Sequence, residues 1–213
     1  MPIDTLLLEG PPARCILERA ESSSADLIVL GTHGRSGFEH LVLGSVAEKV
    51  LRRARCPVLT VPPKVGTASV PYKRLLCPVD FSESSLRALR FALSIAQESG
   101  AHLTVLHAFE WASDGAFLTE QFDTPDFRCR LEEQVRDRVS QQLTDEARTW
   151  CEIETRLAYG KPYREILDIA ERDGADLIVI GVHGRNALDL MLFGSTTNQV
   201  VRRASCPVLT LKH

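Results

Sequence analysis

Three glycines near the end of the sequence have the spacing expected of a phosphate site. Gly181 and Gly184 follow a short apolar run, and Gly194 stands directly before Ser195 and the helix-like segment Thr196–Arg203. Glycine lets the backbone turn sharply or lets a ligand approach closely. A helix start, here with Ser195 as the predicted cap, offers unpaired N–H groups and a partial positive charge to an anion. The pattern predicts phosphate binding, with simple turns in a strand–helix connection as the alternative.

The same motif occurs a second time, 150 positions earlier in the chain. Residues 10–60 align with residues 160–210 without a gap, and about half of the positions are identical. The loop residues of this first copy are Gly31, Gly34, Gly44, Ser45 and Val46. A repeat that preserves its loop lengths indicates a duplicated domain.

The composition excludes several classes of function. With 213 residues, of which 44% are hydrophobic and 25% charged, the chain suits one large globular domain or two smaller ones. The net charge of −3 and pI near 6.1 disfavour a nucleic-acid partner. No apolar run is long enough to span a membrane, the first residues do not form a signal peptide, and the six cysteines form no C-x-x-C pair. These features predict a cytoplasmic protein with reduced thiols and no metal site.

The elements that position the first motif form a short unit. Periodicity and turn residues predict a strand, helix, strand, helix and strand at Thr5–Leu8, Ala13–Ser22, Leu27–Leu30, Ser45–Arg53 and Val58–Val61. Ser45 and Glu48 fit a capping box at the start of the second helix. Residues 63–71 are rich in turn formers and predict a linker between a unit at 1–62 and a unit at 72–213.

The second unit is longer and alternates strands with helices throughout. The predicted strands are 74–80, 102–108, 153–158, 177–180 and 208–211. The predicted helices begin at Ser82 or Ser84, at Leu131 (ending at Trp150), at Pro162 and after Gly194-Ser195. Residues 111–127 are predicted to be an irregular excursion. This order predicts a parallel sheet with helices on both faces.

Residues that could bind a ligand fall at the carboxyl ends of three predicted strands. Asp80, Ala108 and Gly181 each stand at such an end. In open α/β sheets ligands bind beyond these ends, where the strand order reverses. We therefore expect the three residues to converge on one site, although Asp80 could instead serve as a helix cap or turn carboxylate.

Pro78-Val79-Asp80, together with the later G-x-x-G-x9-G-S motif, closely resembles the ATP-binding branch of the universal stress protein family. The resemblance covers residues 72–213 as a complete domain and residues 2–62 as the latter part of another. It implies an open five-stranded α/β sheet in strand order 3-2-1-4-5, preceded by a partial copy of the same fold. It also implies that domains pair through their last strands, either within a tandem chain or in a homodimer.

The resemblance also implies a set of nucleotide-binding residues. Asp80 would contact the nucleoside, and the backbone of Ala108 would face the adenine. The positions that would shape the pocket or approach the phosphates are Pro78, Val79, Gly181, His183, Gly184, Arg185, Gly194, Ser195 and Thr196. The implied ligand is ATP, AMP or ADP, possibly with magnesium.

Three functions follow from these observations. The first is an adenine-nucleotide-binding protein that senses or signals stress. The second is a slow ATPase or nucleotide hydrolase, against which stands the lack of a P-loop lysine or a convincing nucleophile–base pair in the sequence. The third is an interaction module that has lost the nucleotide and pairs through its terminal strands.

The first unit departs from the family pattern because it has nothing equivalent to Asp80 or Ala108. We therefore interpret its glycine loop as a vestigial phosphate loop. The absent strands would occupy the middle of its sheet, so their absence should leave an exposed strand edge. Either another chain covers that edge or the sequence is an N-terminally shortened form of a two-domain protein.

Overall fold

A computed structural model describes residues 3–32, 43–63, 71–110, 125–143, 149, 151–182 and 194–212. The first unit contains α1 (Pro12–Ser22), β1 (Ile28–Gly31), α2 (Ser45–Arg53) and β2 (Val58–Val61). The second contains β3 (Arg74–Pro78), α3 (Glu83–Ser99), β4 (His102–Phe109), α4 (Pro125–Ser140), β5 (Ile153–Tyr159), α5 (Pro162–Arg172), β6 (Leu177–Gly181), α6 (Ser195–Arg203) and β7 (Val208–Leu211). No helix in these ranges has the length and apolar character needed to cross a membrane.

All of these strands belong to one seven-stranded sheet in the order β1-β2-β7-β6-β3-β4-β5. Within the second unit this is the predicted order 3-2-1-4-5, and its neighbouring strands are parallel. Helices cover both faces of this unit. The predicted α/β class is confirmed, and the partial copy extends the same sheet rather than forming a separate one.

The two units meet through their last strands, as predicted. β2 and β7 pair antiparallel, with Leu59 opposite Leu209. Thr60 Oγ1 donates to the Val208 carbonyl and Thr210 Oγ1 donates to the Val58 carbonyl, each at 3.1 Å. Because both threonines are buried, these reciprocal bonds satisfy hydroxyl groups that would otherwise be costly to desolvate. The joint is therefore a pseudo-symmetric part of the core.

The two faces of the sheet are covered unequally. On one face α1, α2, α5 and α6 bury a continuous core that spans both units, with Val50 and Val200 fully buried. On the other face α3 and α4 cover the second unit, where Leu89 and Val139 are fully buried. That second core reaches β7 and ends at the half-buried Leu59 of β2. Beyond β2, the corresponding face of β1 is exposed.

Two buried thiols lie in these cores. Burial raises the pKa of the Cys77 thiol, and it raises that of Cys206 to about 12. Both groups therefore stay protonated at neutral pH and act as small apolar side chains. All six cysteines are free.

The predicted strand at Thr5–Leu8 is wrong. Residues 3–9 adopt no regular structure, and Leu7 is 96% exposed. The equivalent segment of the second unit is β5, which pairs along its length with β4. Within the described part of the first unit no strand corresponds to β4, so this segment has no neighbouring strand there to supply its backbone hydrogen bonds.

Helix boundaries also differ from the sequence predictions. α4 begins at Pro125 and ends at Ser140, whereas Leu131–Trp150 was predicted; residues 111–124, 144–148 and 150 lie outside the described ranges. The predicted capping by Ser45 and Ser195 is wrong. Gly44 and Gly194 occupy the N-cap positions, and neither helix start has a side-chain cap. Glu48 instead pairs with Arg52 at 2.9 Å.

The turn that precedes β1 contains a backbone conformation unfavourable for its residue. Ser24 has φ of +50°, and its repeat equivalent Gly174 has φ of +61°. Only glycine adopts this region without a steric cost. We expect Ser24→Gly to raise the free energy of unfolding by about 0.5–1 kcal/mol in urea denaturation. Gly174→Ser is the matched reverse change and should lower it; equal stability of all three proteins would contradict the argument.

Candidate functional site

The site predicted from the sequence lies at the carboxyl ends of three adjacent strands. β3 lies between β4 and β6, and the strand order reverses between β3 and β6. Asp80 follows β3, Ala108 is near the end of β4, and Gly181 ends β6. Val79 N–H donates to the Leu106 carbonyl at 2.8 Å, which carries the pairing of β3 and β4 beyond Pro78. Pro78 and Val79 are buried, and Asp80 is half-buried.

Asp80 organises the turn that leads into α3. Its Oδ1 accepts hydrogen bonds from Ser82 N–H at 3.0 Å and from Ser82 Oγ at 2.6 Å. Asp80 N–H in turn donates to Ser85 Oγ at 3.3 Å. Ser82 is the N-cap of α3 and accepts from Ser85 N–H. The turn-carboxylate role considered for Asp80 is therefore present, and it fixes the side chain at the end of β3.

Phe81, directly after Asp80, has the left-handed φ of +61° that residues with a Cβ rarely adopt. The Arg138 guanidinium of α4 lies 4.0 Å from the centre of its ring, and the His107 ring lies 5.2 Å away. Phe109 meets His107 edge-on at 5.1 Å. These contacts hold a strained turn in place, a combination that is frequent at functional sites.

His107 joins this aromatic cluster to the end of β3. Its Nδ1 lies 2.6 Å from the Val79 carbonyl oxygen, and the side chain is buried. Because a carbonyl can only accept, Nδ1 carries a proton. The role of the cluster formed by Phe81, His107, Phe109 and Arg138 was not predicted from the sequence. The available signals were the aromatic residue after Asp80 and the two-residue spacing of His107 and Phe109, which places both on one face of β4.

Gly181 is required by packing against α3. A Cβ atom at this position would lie 2.7 Å from the backbone carbonyl carbon of Ser84 and 2.8 Å from Ser84 Oγ. The Gly181 carbonyl accepts a hydrogen bond from Thr197 Oγ1 at 2.8 Å. One glycine thus contacts the first turns of both α3 and α6.

The start of α6 is fixed directly beside the end of β6. Gly194 N–H donates to the Val182 carbonyl at 3.0 Å. Ser195 is exposed and Thr196 half-buried in the first turn, where backbone N–H groups have no partner within the helix. The predicted site residues His183, Gly184 and Arg185 lie outside the described residues.

A continuous series of contacts connects Asp80 to this helix start. Asp80 bonds to Ser82 Oγ, which lies 3.3 Å from Ser84 Oγ. Ser84 packs against Gly181, whose carbonyl binds Thr197. The carboxylate after β3 and the positive end of α6 therefore belong to one connected surface.

The first unit reproduces only the helix part of this arrangement. Gly44 N–H donates to the Thr32 carbonyl at 2.9 Å, as Gly194 does to Val182. Ser45 is exposed and Val46 half-buried at the start of α2, and Gly31 ends β1. Gly34 lies outside the described residues. Among the described strands, β1 has β2 as its neighbour, and no strand there carries counterparts of Asp80 and Ala108.

A cleft of about 320 Å³ lies at the opposite ends of the strands. Arg156 there bonds to both Glu154 and Asp173. The hydrogen bond to Glu154, together with the charges of both carboxylates, raises the pKa of Arg156. Three of the charged residues in the lining of this cleft, Arg156, Glu154 and Asp173, therefore pair with one another, and the cleft is separate from the candidate site. The described residues contain no group of side chains suited to hold a metal ion.

The fold is therefore an open α/β sheet with the candidate site at the point where its strand order reverses. Comparison with known proteins assigns the family: the sequence model of the "Universal stress protein family" matches residues 2–62 and 71–212. The chain belongs to this family.

Several relatives show how much of the family architecture the chain contains. Universal stress protein MJ0531 of Methanocaldococcus jannaschii is 32% identical over 142 residues, which are 66% of this chain and 82% of that protein. Universal stress protein Rv2005c of Mycobacterium tuberculosis is 28% identical over 200 residues, which are 90% of this chain and 63% of that protein. The chain thus spans less than two thirds of this longer relative.

Solved structures of universal stress proteins also match this chain. A universal stress protein from Archaeoglobus fulgidus matches 92% of this chain and 66% of its own, with a TM-score of 0.64 and 27% identity. The universal stress protein UspA of Lactobacillus plantarum matches 67% of this chain and 99% of its own, with a TM-score of 0.56 and 32% identity.

Proposed function

We propose that this chain binds one adenine nucleotide, ATP or its products AMP and ADP, at the carboxyl ends of β3, β4 and β6. It would act in a stress response by sensing or signalling. The proposal includes a division into a complete nucleotide-binding unit at residues 72–213 and a partial unit at residues 1–62, and a cytoplasmic location.

The observation that supports this function best is the series of contacts from Asp80 to α6. A nucleotide needs a polar partner for its nucleoside, an apolar surface for its base and N–H groups for its phosphates. Asp80 and the first turn of α6 would supply the first and the last of these. They are held on one surface through Ser82, Ser84 and Gly181.

The aromatic cluster has a positioning role in this proposal. Phe81 is held between Arg138 and His107, and His107 is bonded to the Val79 carbonyl. These contacts keep the turn after β3 in its strained form before a ligand arrives. A preorganised turn would spare the nucleotide the cost of ordering it.

Calorimetric titration with ATP and magnesium tests the proposal. We expect the intact protein to bind, and Asp80→Ala to weaken binding by about 1–3 kcal/mol because a well-aligned polar partner is lost. Asp80→Asn keeps an acceptor oxygen for Ser82, so it separates loss of the charge from collapse of the turn. Asp168→Ala removes an exposed carboxylate of α5 and should leave binding unchanged.

The alternatives give different outcomes. A mass spectrum of ligand released by heating the purified protein would identify a bound nucleotide. Turnover of ATP above background would favour the hydrolase function. If the intact protein binds no adenine nucleotide, the proposal is wrong and the function as an interaction module takes its place.

A further inference from the structure

A second cleft, of about 250 Å³, lies along the first two turns of α3. The described residues of its lining are Glu83, Ser84, Arg87 and Arg90. Ser84 also belongs to the candidate site, because its Oγ lies 3.3 Å from Ser82 Oγ and its backbone packs against Gly181. The cleft therefore adjoins the surface that connects Asp80 to the start of α6.

The two arginines of this cleft are not engaged by the protein itself. Arg87 and Arg90 are exposed, and neither has a hydrogen bond or an ion pair in the described structure. On α2, Glu48 and Arg52 pair at 2.9 Å across four positions. Glu83 and Arg87 have the same spacing on α3, yet no ion pair joins these two described residues. Both guanidinium groups are therefore available to an anion from outside the chain.

The direction of helical side chains brings these charges towards the candidate site. Residues three apart lie on the same face of a helix, so Ser84, Arg87 and Arg90 follow one another along α3. Long side chains on a helix point back towards its N-terminus. Arg87 therefore extends towards Ser84, and Arg90 follows one turn, about 5.4 Å, behind it. The partial positive charge at the start of α3 adds to the charges of both.

α6 has no comparable side-chain cations in the described part of its first turn. Its basic residues, Arg202 and Arg203, are in the last turn. A helix start can hold one phosphate through its N–H groups, but a longer phosphate chain carries more charge and needs further donors. Arginine offers a planar set of N–H donors that matches phosphate oxygens. α3 therefore has the side chains that a longer phosphate chain requires.

We infer that Arg87 and Arg90 bind the distal phosphates of the nucleotide and make the site selective for ATP over AMP. This inference rests on the proposed function. With the α-phosphate at the start of α6, the β- and γ-phosphates would extend past Gly181 and Ser84 to the two arginines. Glu83, in the same lining, would oppose them by charge repulsion and limit the affinity.

Calorimetric titration of the full chain with ATP, ADP and AMP, all in one magnesium-containing buffer, tests the inference. We expect ATP to bind about tenfold more tightly than AMP, with ADP between them. The double change Arg87→Gln and Arg90→Gln removes both charges but keeps residues that favour a helix. It should weaken ATP binding by about tenfold and alter the AMP affinity by less than about twofold. Retained AMP binding would also show that the double variant is folded.

Two further variants control for charge. The double change Arg14→Gln and Arg19→Gln removes the same net charge from exposed positions on α1 and should leave all three affinities unchanged. Glu83→Gln acts in the opposite direction, since it removes a like charge from the path of the phosphates. It should tighten ATP binding by about twofold or more and leave AMP binding unchanged.

Three results would overturn the inference and leave the proposed function intact. The first is equal affinity of the wild-type protein for ATP and AMP, and the second is a preference for ATP that survives in the Arg87 and Arg90 double variant. The third is an equal loss of ATP and AMP affinity in that variant, since the arginines would then act on the fold rather than on the distal phosphates. Failure of all three nucleotides to bind the wild-type protein would overturn the proposed function, and this inference with it.

Discussion

Gly181→Ala is expected to lower the free energy of unfolding by about 1–3 kcal/mol, the usual range for overpacking a tight interior. The added methyl group would lie 2.7 Å from the Ser84 backbone carbonyl carbon. Backbone atoms cannot rotate away as a flexible side chain can, so α3 or β6 must shift. A shift would also disturb the bond between the Gly181 carbonyl and Thr197 Oγ1. Urea denaturation monitored by circular dichroism measures the loss.

Gly31→Ala is the matched control, because Gly31 is the equivalent residue of the first unit and is exposed at the sheet edge. No helix packs against it within the described structure, so the change should alter stability by less than about 0.5 kcal/mol. Equal losses for the two variants would show that the glycine is needed for its backbone conformation. In that case the contact between Gly181 and α3 would not be the cause of the lost stability.

A stoichiometry of one nucleotide per chain is the second expected result, although the glycine motif occurs twice. α2 and α6 begin alike, with Gly44 and Gly194 donating to the end of the preceding strand at 2.9 and 3.0 Å. A helix start can hold an anion, but a whole nucleotide also needs a pocket for its base. In the described structure, strands with Asp80 and Ala108 at their carboxyl ends occur in the second unit alone.

Replacing either glycine by valine distinguishes the two motifs. Gly194 has φ of −52° and Gly44 has φ of −56°, which valine also adopts, so neither change strains the backbone. Gly194→Val should abolish nucleotide binding by blocking the helix start, while Gly44→Val should leave the affinity unchanged. Calorimetry that finds two equivalent sites, or loss of the tight site through Gly44→Val alone, would contradict the assignment.

Much of the fold follows from local sequence patterns. The alternation of apolar runs with helical periodicity predicts a parallel sheet with helices on both faces, while the strand order of the second unit was implied by the family resemblance. The short apolar strands at the ends of the two units also predict the antiparallel pairing of β2 with β7, because an unpaired strand edge favours pairing. Helix and strand types were predicted correctly wherever a segment had a packed neighbour.

The structure differs from the sequence predictions where an element depends on contacts with residues that are distant in sequence. Thr5–Leu8 has strand-like composition, but a strand needs a neighbour that this unit lacks. Phe81, His107 and Arg138 come from a turn, a strand and a helix, and their contact depends on the fold. The packing role of Gly181 depends in the same way on Ser84 of α3, which lies 97 positions earlier in the chain.

The joint between β2 and β7 also determines when the first unit can fold during synthesis. The bond from Thr60 to Val208 spans 148 residues of chain. At roughly 5–20 residues per second, β2 waits on the order of 10 s for the strand that completes its pairing. Contacts so distant in sequence form slowly, whereas neighbouring elements associate early. The first unit therefore emerges from the ribosome before β7, the strand that completes the pairing of β2, has been made.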